Sequence, residues 1–151
     1  MPATGYQLPS SMPSYQFVEE IDDRLRGDLM ELYRYEWWTN ERREEDVARM
    51  LQHTDLVVGV CADPGGELVG FTRVLTDRVF KAVIFDVIVA QAHRGAGLGE
   101  RLIDYVLKHQ MLAGVRHIEL YCKPELIPFY AKWGFSAPGP DVNFLRMTRG
   151  D

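Results

Sequence analysis

Between an apolar run at residues 79–90 and an amphipathic stretch at residues 100–112 lies His93-Arg94-Gly95-Ala96-Gly97-Leu98-Gly99. Strand, glycine turn and helix N-terminus in that order confine the centre of the chain to a β-to-α crossing. Glycines at alternate positions let the backbone approach a partner closely, and the first turn of a helix offers N–H groups with no internal acceptor. Such a turn suits a phosphate or pyrophosphate. Arg94 stands at its mouth, where a planar and permanently charged donor pairs with phosphate in a two-pronged geometry that lysine lacks.

The neighbouring residues exclude two common phosphate turns. A P-loop needs Lys and Ser/Thr after its last glycine, but Gly99 is followed by Glu100-Arg101; a dinucleotide turn needs glycine where Glu100 stands. The rest of the chain alternates between the two hydrophobic periods. A first strand is predicted at 15–19. A helix follows at 23–38 with Leu25, Leu29, Leu32, Tyr33 and Trp37 at helical spacing, then a short helix over 41–51 with Asn40 as its N-cap. Residues 55–62 and 67–76 are β-branched runs joined by Asp63-Pro64-Gly65-Gly66, a hairpin turn, and 79–90 continues the meander. In the helix at 98–112 the stripe is Leu98, Leu102, Tyr105, Val106 and His109, ended by Gly114. A strand at 118–122, a helix at 124–133 capped by Gly134 and a closing strand at 142–148 complete the order. This is an α/β chain with a mixed, mostly antiparallel central sheet flanked by helices.

Composition fits a single domain at 15–149 behind a loose N-terminal tail at 1–14, rich in proline and serine; 151 residues with 46% hydrophobic content support a substantial core. The formal charge of −5 argues against nucleic acid as a partner. No run approaches the ~20 apolar residues of a membrane span, and residues 1–14 lack the pattern of a signal peptide. Cys61 and Cys122 both fall in apolar strand-like runs, which predicts small buried hydrophobes in a reducing cytoplasm. Acidic residues gather at Glu19, Glu20, Asp22, Asp23, Glu41, Glu44, Glu45 and Asp46. They form either a rim favouring a cationic amine or simply a solvated face. No metal-ligand spacing is present.

Arg94-Gly95-Ala96-Gly97-Leu98-Gly99 fits Arg-x-x-Gly-x-Gly and resembles the acetyl-CoA pyrophosphate loop of the GCN5-related N-acetyltransferase (GNAT) superfamily. Downstream, Phe129-Tyr130-Ala131-Lys132-Trp133-Gly134-Phe135 is similar to that family's second signature, a short helix with a tyrosine followed by Gly-Phe. The ordered pair is far more specific than the loop alone. The resemblance implies the acyl-CoA N-acyltransferase fold, in which two mid-sheet strands splay and the pantetheine arm lies between them. It places main-chain contacts to the acyl-CoA at Val87, Ile88 and Val89, phosphate contacts at residues 94–99, and a further contact at Phe129. Where the family commonly has asparagine, seven residues before the tyrosine, this chain has Lys123.

The implied reaction is attack of a primary amine on the acetyl-CoA thioester in a ternary complex, without metal. By the resemblance Tyr130 is the general acid for the thiolate, and the main-chain N–H of Val89 or a neighbour serves the oxyanion. Asp86 lies in the otherwise apolar Ile84-Phe85-Asp86-Val87-Ile88-Val89 and must be paired, hydrated or functional. It is a candidate base, against an ion pair with Arg73 or Lys81. Alternation puts it opposite Val87 and Val89. Glu119, Tyr121 and His93 are further candidates, His93 reading as a solvent-facing turn residue. Acceptor contacts are expected at Tyr33, Trp37, Trp38 and Arg73 and in segment 138–143. A small-molecule amine is the first expectation. A protein or peptide acceptor, a non-catalytic acyl-CoA sensor and a homodimer remain open.

Overall fold

The computed structural model describes residues 14–150, so the expected tail at 1–13 lies outside the described residues. Ser14, assigned to that tail, is docked: its hydroxyl donates to Asp63 at 2.9 Å and its carbonyl accepts from the Asp63 N–H. The chain divides into two compact units, one running to Leu120 and the other from Tyr121.

In the first unit, strands β1 (Tyr15–Val18), β2 (Leu56–Ala62), β3 (Glu67–Thr76), β4 (Lys81–Val89) and β5 (His117–Leu120) lie side by side in chain order. The first four are antiparallel, each joined to the next by a turn or by helices. β5 is parallel to β4 because helix α3 (Leu98–Lys108) carries the chain back between them.

Helices α1 (Asp23–Arg34) and α2 (Glu44–Gln52) cover one face of the sheet. Asp22 caps α1 by accepting the Leu25 N–H at 2.9 Å, and the spacing of Leu25, Leu29, Leu32 and Tyr33 turns one stripe onto Val57, Cys61, Leu68, Phe71 and Ile88. α1 ends four residues before the expected Trp38. Thr39 is buried, and its hydroxyl donates to the Tyr33 carbonyl at 2.8 Å, turning the chain out of the helix. α2 begins at Glu44 rather than Glu41, with Arg43 and not Asn40 at its N-cap and no side-chain cap; Glu44, Glu45 and Asp46 supply the favourable negative charge in its first turn.

On the other face α3 buries Leu98, Leu102, Ile103 and Val106. It stops at Lys108, short of the expected Leu112, because His109 adopts an extended backbone and its Nδ1 accepts the Met111 N–H at 3.0 Å, opening a separate turn at Gln110–Leu112. Tyr105 and His109 leave the core stripe: both bond Glu19, and Tyr105 stacks on Phe17.

Gly59 in β2 shows why the α1 face accepts no extra atom there. A Cβ at this position would sit 2.8 Å from Leu68 Cδ1 and 3.1 Å from both Ile21 Cδ1 and Val18 Cγ2. Gly59→Ala should therefore lower stability by about 1–3 kcal/mol, the usual range for overpacking. A urea unfolding midpoint equal to that of the parent would contradict this.

The second unit contains a turn at Pro124–Leu126 and the five-residue helix α4 (Ile127–Ala131), shorter than the expected 124–133. Gly134 follows at φ +92°, its N–H donating to the Ala131 carbonyl at 2.9 Å. The expected closing strand at 142–148 is absent: these residues carry no ladder, and Val142, Phe144, Leu145 and Met147 are exposed. Cys61 is buried as expected, whereas Cys122 is exposed because β5 ends at Leu120. Among the described residues no helix is long and apolar enough to cross a membrane, and no cluster of His, Cys, Asp or Glu suits a metal ion.

Candidate active site

β4 is out of step with its neighbour on one side and runs past its neighbour on the other. Phe71 pairs with Ile88 but Arg73 pairs with Phe85, so two steps on β3 match three on β4. The extra residue is a β-bulge at Asp86, which adopts φ +57°. Cross-strand partners share a face. Phe85 and Ile88 consequently both face α1 and α2, with Asp86 between them, whereas Ile84 pairs with Val74 on the α3 side. Simple alternation, which would put Ile84 and Asp86 on one face, fails at the bulge.

Pairing of β4 with β5 ends at Ile84–Leu120, so residues 85–89 run on beyond it. The Ala90 N–H donates to Val69 on β3, and antiparallel alternation turns the main-chain groups of Val89 the other way. The Val89 carbonyl there accepts Arg94 Nε at 3.1 Å.

Gly95 and Gly97 have φ of +85° and +77°, the left-handed region that L side chains avoid. A Cβ on either would meet nothing within 4 Å, so the space before the first turn of α3 is open. Gly97 is the N-cap and makes no side-chain cap, and its carbonyl accepts from Arg101 at 3.0 Å. The N–H groups of Leu98 and Gly99 start the helix there, with Ala96 bridging the two left-handed glycines. The Arg94 guanidinium is engaged within the protein. Besides Val89, it pairs with Glu36 at 2.9 Å, tying the loop to the end of α1.

Asp86 is buried and fully engaged. Arg42 donates to its two oxygens at 2.6 and 3.3 Å, Arg73 Nε at 2.8 Å and the Tyr33 hydroxyl at 2.9 Å. Burial opposes its charge, but the Arg42 hydrogen bond and the charges of Arg42 and Arg73 outweigh it and hold the carboxyl below its ordinary range. Burial and the adjacent Asp86 charge push the Tyr33 phenol far up, so it stays a neutral donor. The expected partner Arg73 is present; Lys81 pairs instead with Glu119 at 2.6 Å. Tyr33 is a core residue and not part of an open acceptor surface. Trp37 and Trp38 are both exposed, and Trp38 lies 5.9 Å from the Arg42 guanidinium. His93 is half-buried, its Nδ1 2.9 Å from the Tyr15 hydroxyl, so it is not a free turn residue.

Sequence reasoning missed Arg42 and Glu36. Arg42 belongs to the charge-dense Asn40-Glu41-Arg42-Arg43-Glu44-Glu45, which reads as solvated surface. The one available signal was Asp86 itself, a carboxylate in an apolar strand that demands cations from elsewhere. A cavity of about 520 Å³ lies between α1 and residues 88–94, with Asp28 and Glu31 of α1 and Glu36 just past its end on one wall. Each of these carboxylates faces an arginine, Arg24, Arg34 and Arg94 respectively, so this stretch is an ion-paired face.

In the second unit Tyr130 is buried within an aromatic cluster, its ring 5.0 Å from Phe129, 6.5 Å from Trp133 and 6.0 Å from Phe135. Burial first, and the nearby Cys122 second, push its phenol up to about 12. It is therefore a protonated hydroxyl at any physiological pH.

A bulged β4 that outruns a parallel β5, followed by a left-handed glycine turn into α3, defines the fold of the acyl-CoA N-acyltransferases. Residues 18–135 match the family model described as Acetyltransferase (GNAT) family, and the chain belongs to that family. It is 35% identical over 103 residues, 67% of this chain and 51% of the relative, to Serotonin N-acetyltransferase 2, chloroplastic, of Oryza sativa subsp. japonica. It is 33% identical over 130 residues, 84% of this chain and 72% of the relative, to an uncharacterized N-acetyltransferase, ycf52-like, of Prochlorococcus marinus. A solved structure of a GNAT-family protein from Xanthomonas campestris pv. campestris superposes with a TM-score of 0.78 at 28% identity, covering 91% of this chain and 96% of that one. The chain spans about half the length of the first of these curated relatives.

Proposed function

We propose that this chain transfers the acetyl group of acetyl-CoA to a primary amine of a small molecule by direct attack. The observation that carries this reading is the pair of left-handed glycines at 95 and 97, which leaves open space before the helical N–H groups of α3 beside the end of β4 that β5 does not pair. Those N–H groups suit the diphosphate. The outward main-chain groups of Val87 and Val89 suit the amides of the pantetheine arm, which would satisfy them as a strand does.

In the reaction the amine nitrogen bonds to the thioester carbon, the oxyanion takes a main-chain N–H near Val89, and the C–S bond breaks. The attacking nitrogen gives up its surplus proton to water, and Tyr130, by its match to the family's second signature, is assigned to protonate the departing thiolate and to recover a proton from solvent. Asp86 is assigned a positioning role. A carboxylate with lowered proton affinity, engaged by two arginines, is a poor base, so the amine must bind as its neutral fraction or lose its proton to water.

The test is calorimetry with acetyl-CoA, together with CoA release against a panel of amines. Gly97→Val should weaken acetyl-CoA binding by about 10-fold or more, because the side chain fills the phosphate space. It should also cost about 1–2 kcal/mol of stability, since valine resists a left-handed backbone. Unchanged affinity would remove the loop from the site, and tight binding without turnover of any amine would make the chain a sensor.

A further inference from the structure

The cluster around Asp86 is not electrically balanced. Arg42 and Arg73 bring two positive charges to one carboxylate, and Tyr33 is neutral, leaving a net charge of about +1 beside the bulge. Arg73 spends only Nε on Asp86; among the described residues its two terminal nitrogens have no protein acceptor, although its side chain is only 13% exposed. A guanidinium whose two terminal nitrogens reach solvent without a protein acceptor, on a side chain otherwise largely covered, matches the two oxygens of a carboxylate or phosphate.

The surroundings restrict what could bring that anion. Arg73 lies over the Phe85 ring at 4.7 Å, and the register places Leu75 and Val83 on the same face. Leu75 is exposed, Arg42 is 30% exposed, and Trp38 lies against Arg42. This is an apolar floor with a cationic end. Arg73 is opposite Phe85 and, with the bulge taking up one residue, one to three ladder steps from Val87–Val89, hence roughly 3–10 Å along the sheet from the main chain assigned to the acyl arm at about 3.3 Å per step. That span fits one small molecule carrying both an amine and an anion.

The geometry points to an acceptor whose amine-bearing skeleton also carries a carboxylate or phosphate, with Arg73 as the residue that binds the anion and Asp86 and Arg42 holding it in place. This rests on the acetyl-transfer reading and narrows its acceptor.

The experiment compares matched acceptors with acetyl-CoA at saturation: tyrosine against tyramine, tryptophan against tryptamine, and phosphoethanolamine against ethanolamine. The anionic member of the carboxylate or phosphate pairs should have kcat/KM higher by about 10- to 100-fold, as for a hydrogen-bonded charge pair. Whichever pair responds identifies the anion. Arg73→Met should erase the preference through the acceptor KM while leaving the KM for acetyl-CoA in place, and Arg73→Lys should restore part of it. Independently of turnover, calorimetry with phenylpropionate and phenyl phosphate should give heat with the parent and none with Arg73→Met. Preference by the parent protein for the amines that lack the anion, or anion heat that survives in Arg73→Met, overturns the proposal without touching acetyl transfer. Absence of any acetyl-CoA binding overturns the transfer reading, while the anion titration still reports on Arg73.

Discussion

Asp86→Ala should lose about 3–5 kcal/mol of folding stability at neutral pH, the usual cost of removing one member of a buried ionic cluster. The substitution strands two guanidinium groups and the Tyr33 hydroxyl, each of which now ends on an Asp86 oxygen. It also puts alanine at φ +57°, a backbone that aspartate and asparagine tolerate better. Asp86→Asn keeps the backbone preference and an acceptor oxygen but removes the charge, so it isolates the electrostatic part. The sign with pH follows from the lowered carboxyl. Its contribution is fully present above the unfolded value of about 3.9 and disappears as pH falls through the lower folded value. The stability gap between parent and Asp86→Asn should therefore be constant from about pH 8 to pH 5 and narrow below about pH 4. Urea unfolding of parent and variants across that range measures it; a gap that stays level into acid would mean that the charge of Asp86 contributes nothing.

The same residue shows how far letters reach. A lone carboxylate in Ile84-Phe85-Asp86-Val87-Ile88-Val89 announces itself, and Arg73 was legible as its partner because it stands on the adjacent strand. Arg42 was not: it comes from 44 positions upstream, through a turn whose exit from α1 depends on the Thr39 hydroxyl. The bulge was equally hidden. Both faces of β4 are apolar, so a change of parity leaves no trace in the hydrophobic pattern. By contrast, Gly95 and Gly97 could be read directly, since a turn into a helix at positive φ selects glycine whatever packs around it. The Val142-Asn143-Phe144-Leu145-Arg146-Met147 segment marks the converse limit. Its β-favouring residues describe a strand, yet a strand exists only where another strand pairs with it, and the pattern of one segment does not specify that partner.

Tyr130→Phe should reduce turnover by about 10²- to 10⁴-fold, the range in which a positioned general acid contributes. The two rings have the same shape, so the aromatic cluster with Phe129, Trp133 and Phe135 should keep its packing and the thermal midpoint should move little. The KM for acetyl-CoA should change far less than kcat, because the proton is needed only as the C–S bond breaks. A hydroxyl pushed up to about 12 imposes a second signature. It keeps its proton through the whole accessible range, so the parent should show no loss of kcat on the alkaline side below about pH 10 that is absent from the variant. An acetyl donor with a more acidic thiol departs without protonation, and with it the difference between parent and Tyr130→Phe should shrink. Equal turnover of parent and variant with acetyl-CoA would reduce Tyr130 to a packing residue, and an undiminished difference with the acidic thiol would show that it acts on something other than the leaving group.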